Sequence, residues 1–159
     1  MELLHFYISP GHNFWGHRGL AAGEYPTKEV DEINCMAGAG IRGDRFFNFK
    51  ENYKGQITFF ADETYRDLCE RFDVRDKLPS VFRRNVMTRG MDLNSLIGHE
   101  FEVQGVRFFG VEESKPCSWM NHAFCPGAEA ALKDRGGLRA RILSDGTLRR
   151  QVHAANVPK

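Results

Sequence analysis

Apolar and polar positions change over in short runs along this chain, with glycine or proline between most of them. Leu3 to Ile8 is a bulky run that stops at Ser9-Pro10-Gly11, which predicts a strand and a turn. Glu29 to Met36, with Val30 and Ile33 set among charges, predicts a second strand. Gly55 to Phe60 reads as a buried strand ending at Asp62, a good helix N-cap. Tyr65, Leu68, Cys69 and Phe72 recur at helical spacing, so one face of that helix is packed and Cys69 is structural. Pro79 breaks the pattern before Val81 to Gly90, a strand with basic flanks, and Met91 to Gly98 predicts a helical turn closed by glycine. Glu100 to Gln104 and Val106 to Glu113 are two strands joined near Gly105. Ala128 to Lys133 is a short helix, and Leu138 to Leu143 is expected to form a hairpin with Thr147 to Arg150 across Asp145-Gly146. Many short strands with few short helices make a mainly β fold, and they predict a closed or nearly closed β-barrel over a doubly wound sheet.

Composition narrows the function classes. The 159 residues suggest a single domain with a real core. Against 21 acidic residues stand 22 basic ones, leaving no global field that favours nucleic acid or a membrane surface. The start, Met1 to Phe6, has no basic region or sustained apolar core, and no long apolar run follows. A cytoplasmic chain is therefore expected, with the four cysteines reduced.

Candidate chemistry centres on Glu113-Ser114-Lys115-Pro116-Cys117. Pro116 cannot donate to a sheet ladder, so it ends the strand and hands Cys117 to a loop. A thiol near cations carries more thiolate, the form that attacks electrophiles or binds soft metals; the competing role is that of a small buried hydrophobe. Ala37 to Arg45 holds three glycines flanked by Arg42 and Arg45, without the spacing of a P-loop or a dinucleotide fingerprint. Further arginines gather at element ends, at Arg84/Arg89 beside Asn85 and at Arg135/Arg139, where a barrel rim would bring them together around an anion and depress the Cys117 pKa. His12 and His17 stand in a glycine-rich loop expected to line a pocket. Cys117, His122 and Cys125 offer three zinc ligands at no standard spacing.

Taken in order, Gly40-Ile41-Arg42-Gly43-Asp44-Arg45, Gly55 to Phe60, Arg84 to Leu93, Pro116-Cys117 and Arg135-Gly136-Gly137-Leu138-Arg139-Ala140-Arg141 resemble the MOSC domain, named for the C-terminal domain of molybdenum cofactor sulfurases. The likeness runs from about Val30 to Arg150, and Ile8 to Phe14 resembles the opening of stand-alone bacterial members. It implies one MOSC domain over residues 1–159, folded as a mixed β-barrel of the pyruvate-kinase-barrel type. It further implies a molybdenum cofactor (molybdopterin), with Cys117 as metal ligand or sulfur carrier. Arg42, Arg45, Arg84, Asn85, Arg89, Arg135 and Arg139 become the candidate cofactor contacts. The implied activity is reduction of N-hydroxylated compounds or sulfur transfer to a metal-sulfur cofactor, acting on a small-molecule substrate. An electron-donor or sulfur-donor protein is expected, since these residues hold no aminotransferase-like or redox domain. The family commonly places Gly-Asp after the last strand, where this chain has Arg149-Arg150-Gln151-Val152-His153. The alternative is a non-catalytic module in which Cys117, His122 and Cys125 hold zinc and the arginines contact nucleic acid.

Overall fold

An uninterrupted bulky run such as Ile57-Thr58-Phe59-Phe60 requires a strand covered on both faces. The computed structural model, which describes residues 1–12 and 25–151, places it at the centre of the larger sheet as β5 (Ile57–Ala61). The preceding strands are β1 (Glu2–Ile8), β2 (Lys28–Val30), β3 (Glu32–Met36) and β4 (Gly40–Ile41). Those that follow are β6 (Val86–Arg89), β7 (Glu100–Val103), β8 (Val106–Glu113), β9 (Leu138–Ile142) and β10 (Gly146–Arg149). Helices α1 (Asp62–Arg71), α2 (Trp119–Ala123) and α3 (Ala128–Ala131) are joined by two 3₁₀ turns, Pro79–Phe82 and Leu93–Leu96.

Seven strands run in the order β2-β1-β6-β5-β9-β8-β7, and a three-stranded sheet runs β10-β3-β4. The β5–β6 pair is parallel, with α1 in the crossover; the other paired strands are antiparallel. Side-chain alternation divides the core. Phe6, Phe59, Val86, Phe108, Leu138 and Ala140 pack toward Ile33, Cys35, Ile41 and Leu148 of the small sheet. From the opposite face, Tyr7, Phe60 and Met87 meet Leu68, Phe82, Met120 and Phe124 of the helical layer. Phe82 carries that contact, its ring centroid 4.9 Å from those of both Phe60 and Phe124.

The expected mainly β fold with few short helices is therefore present, but the expected barrel closure is not: the described residues form two open sheets. Side-chain amides span the gaps that a barrel would fill with ladder. Gln151 accepts at its side-chain Oε1 from the Leu3 amide and donates its backbone amide to the Leu3 carbonyl, at 2.9 Å each. Gln104 likewise donates to the Arg149 carbonyl at 2.7 Å and accepts from its amide at 2.8 Å. The run from Glu29 to Met36 bends at Asp31, its first part pairing β1 and its second pairing β10. The hairpin across Asp145-Gly146 is likewise a sheet switch: β9 pairs β5 and β8, while β10 pairs β3. Its corner is pinned from outside, Asp145 accepting from the Ala37 amide at 2.8 Å and Ser144 from the Arg107 amide at 2.8 Å.

Two smaller expectations also change. Asp62 is the first helical residue rather than the N-cap, and its carboxylate takes Arg66 at 2.7 Å and Arg89 at 2.9 Å. The strand expected over Val81 to Gly90 begins only at Val86, because Pro79 starts a 3₁₀ turn that ends at Arg83 in the left-handed region, φ 55°.

Candidate functional site

Cys117 lies exposed on the loop between β8 and α2, above the helical face of the larger sheet. The loop is held from both sides. Ser114 donates to the Gly137 carbonyl at 2.7 Å, and the Met120 amide donates to the Cys117 carbonyl at 2.9 Å. Arg84 braces it from below: Nη2 donates to the Ser114 carbonyl at 2.8 Å, Nε to the Gly136 carbonyl at 3.0 Å and Nη1 to the Phe82 carbonyl at 3.0 Å. Gly136 permits that approach, since a Cβ there would stand 2.4 Å from the Ser114 carbonyl oxygen and 2.9 Å from Pro116.

Around this loop the fold brings several arginines within electrostatic reach of one another. Burial lowers the Arg84 pKa to about 10, with repulsion from Arg139 and Arg45 adding to the shift and the Cys117 and Glu113 charges opposing it. Arg83 is lowered to about 10 by burial, then by Arg45, against the pull of Asp44. Arg45 is pushed down mainly by burial and lies over the Phe46 ring, 4.7 Å from its centroid. Buried Asp44 organises the β1 end, accepting from the Ser9 amide at 3.1 Å and the Phe46 amide at 3.3 Å, with Arg45 at 3.4 Å. Arg83 reaches the same turn through the Gly11 carbonyl at 3.3 Å. His12 closes it, its pKa lowered by burial first and then by Arg45, with Arg83 contributing less. On the far side Arg139 meets Glu112 at 3.2 Å, and Lys54 meets the same carboxylate at 2.6 Å. Ordinary strand register explains that row, since Thr58, Arg139 and Glu112 stand opposite one another on one face.

The expected contacts divide. Arg45, Arg139 and Cys117 all lie within electrostatic reach of Arg84. Arg42 is exposed elsewhere, against Met36 and Phe47. Arg89 pairs with Asp62 and Glu2, while Arg135 pairs with Asp67 at 2.7 Å; both serve the α1 side. They separate from Arg84 and Arg139 because Arg89 lies at the other end of β6 and Arg135 reaches back from the α3 turn. Asn85 is buried and structural, its Oδ1 accepting from the Thr58 amide and hydroxyl at 3.0 Å each and its Nδ2 donating to the Tyr7 carbonyl at 3.1 Å. Arg83, one of the three arginines in the basic run from Val81 to Gly90, lies with Arg45 and Asp44, whereas Arg89 lies with Asp62.

Among the described residues no group of three or more His, Cys, Asp or Glu side chains could hold a metal ion. The zinc triad is not assembled: His122 lies against the Trp119 ring at 5.6 Å, and Cys125 packs in the helical layer near Cys69. No helix of the described residues is long and apolar enough to cross a membrane. His17 and His153 lie outside the described residues.

Several solved structures share the fold. YuaD from Bacillus subtilis superposes with a TM-score of 0.71 at 19% identity, covering 93% of this chain and 90% of that one. YiiM from Geobacillus stearothermophilus gives 0.66 at 12% identity, over 93% of this chain and 70% of that one. YiiM from Escherichia coli gives 0.60 at 16% identity, over 91% and 65%. No curated protein sequence matches. The family model of the MOSC domain matches residues 43–154, a stretch that includes Asp44, Arg45, Arg84, Cys117 and Arg139, and the chain belongs to the MOSC domain family.

Proposed function

We propose that this protein holds a molybdenum-pterin cofactor on the Cys117 face and uses it, with an external electron donor, to reduce N-hydroxylated compounds. The observation that carries the reading is the setting of Cys117: one exposed thiol on a braced loop, beside guanidinium groups close enough to repel one another. The residues fit such a group. Crowded like charges call for an anion, and the forks of Arg139, Arg45 and Arg83 suit a phosphate. A single soft thiolate suits a metal that takes its other donors from an organic ligand.

Cys117 Sγ would hold the metal, and Arg84 would keep Sγ in place through Ser114 while countering its negative charge. Arg45, Arg83 and Arg139 would take the cofactor's anionic end. When bound, the cofactor supplies the two-electron redox chemistry that the protein lacks. Bracing on both sides of Cys117 favours a ligand of fixed position over a swinging sulfur carrier.

The test is expression in a cofactor-competent host, with molybdenum analysis and pterin fluorescence. Wild type is expected to carry near-stoichiometric metal and Cys117→Ser little, and loaded protein should reduce a benzamidoxime when given an electron donor. A folded wild type that never takes up cofactor rejects the reading. A persulfide on Cys117 by mass spectrometry, without reductase activity, replaces it with sulfur transfer.

A further inference from the structure

Two residues beyond Arg139, on the same strand and the same face, lies Arg141. Its guanidinium lies over the Phe109 ring opposite it on β8, 5.8 Å from the ring centroid. Its Nε is buried and has no hydrogen-bond partner among the described residues. Nearby carboxylates are engaged elsewhere: Glu112 by Lys54 and Arg139, and Glu100, the next residue across from Phe109, by Arg107 at 3.7 Å. A buried guanidinium N–H that lacks an acceptor is costly unless a ligand supplies one.

We propose that Arg141 forms a second anion subsite, continuous with Arg139, so that the ligand of this face carries two linked anionic groups of the diphosphate kind. The proposal rests on the reading of the Cys117 face as an anion-binding cofactor site. Positions i and i+2 on a strand are about 6.7 Å apart, a separation that two long side chains close easily around a diphosphate. Arg139, whose Nη1 is held by the Glu112 carboxylate that Lys54 also pairs, takes one phosphate through its remaining donors, and Arg141 takes the other with its guanidinium over Phe109. The second phosphate has two sources with the same chemistry: a nucleotide-extended pterin or a phosphorylated substrate.

Titration calorimetry on the cofactor-free full chain at low salt, with inorganic phosphate and with pyrophosphate, tests this. Wild type is expected to prefer pyrophosphate. Arg141→Gln should weaken pyrophosphate about tenfold while changing phosphate affinity less than about twofold, and Arg139→Gln should weaken both. Unchanged pyrophosphate affinity in folded Arg141→Gln overturns the proposal. Should that variant fail to fold, Arg141→Lys replaces it, with a loss of about threefold or more expected from the missing fork and an unchanged affinity overturning the proposal. The mass of pterin extracted from protein made in a cofactor-competent host then separates the sources: a nucleotide-extended form assigns the second phosphate to the cofactor, a monophosphate form to the substrate. An Arg141-dependent pyrophosphate preference in a protein that never takes up pterin leaves the subsite standing and removes the cofactor reading.

Discussion

Arg84 donates from Nη2 to the carbonyl oxygen of Ser114, three residues before Cys117, at 2.8 Å. A charged group therefore serves as a backbone brace for the loop that presents the thiol. Two more of its donors are spent on the Gly136 and Phe82 carbonyls. Arg84→Ala is expected to lose about 2–4 kcal/mol of stability, from three orphaned carbonyls and a vacated site. It should also retain far less cofactor than Lys115→Ala, whose side chain is exposed. Chemical denaturation and molybdenum content measured on both variants check the order, and the reverse order would remove Arg84 as the main support of the thiol.

Gly136→Ala tests the same brace from the other side. The added Cβ meets the Ser114 carbonyl oxygen at 2.4 Å and Pro116 at 2.9 Å, both in the loop, so the loop must move. Cofactor retention should fall several-fold at a stability cost of about 1–3 kcal/mol. Retention at the wild-type level would show that the loop tolerates displacement.

Asn85→Ala separates structure from binding. The Thr58 amide and the Tyr7 carbonyl lose their partner in a buried place, and a cost of about 2–4 kcal/mol is expected. Phosphate affinity of the fraction that remains folded should stay within about twofold of wild type, because no Asn85 donor faces the arginines. Calorimetry at low temperature reads both.

Glu112 supplies a pH test. The hydrogen bond from Lys54, then the charges of Lys54 and Arg139, hold its carboxyl below the usual range. A depressed carboxyl pKa stabilises the fold fully above the unfolded value, about 4.5, and that contribution disappears as pH falls through the lower folded value. The melting temperature of wild type should therefore exceed that of Glu112→Gln at neutral pH, and the gap should close in the acid range. A gap that is constant with pH would mean that Glu112 acts through packing alone.

What could be read in advance follows from the range of each interaction. Short periodic signals located β1, β5, α1, the β7–β8 pair and the Pro116 stop, because alternation, helical spacing and a missing amide are local properties. The closure of the sheets was not local. An Asp-Gly pair looks the same whether its flanking strands join each other or diverge, and here Asp145 is claimed by Ala37, 108 residues away. The site divides in the same way. The exposed loop position of Cys117 was legible from Pro116, while the surroundings of each arginine depended on which end of β6 it lies near and which carboxylate reaches it first: Arg89 goes to Asp62 and Arg139 to Glu112. Arg83 was visible as one of three arginines in a short run, but its left-handed backbone, which keeps it out of the strand that follows, was not.

The two amide clasps set a hierarchy of opening. Gln104 and Gln151 fasten the small sheet at its rims by four hydrogen bonds, while the Cys117 loop is anchored to the large sheet through Gly137 and Arg84. Local breathing that frees β10 therefore need not disturb the thiol. Amide protons of β3 and β10 should exchange with solvent sooner than those of β5 and β9, and the site face should keep its geometry while the opposite wall of the protein comes apart.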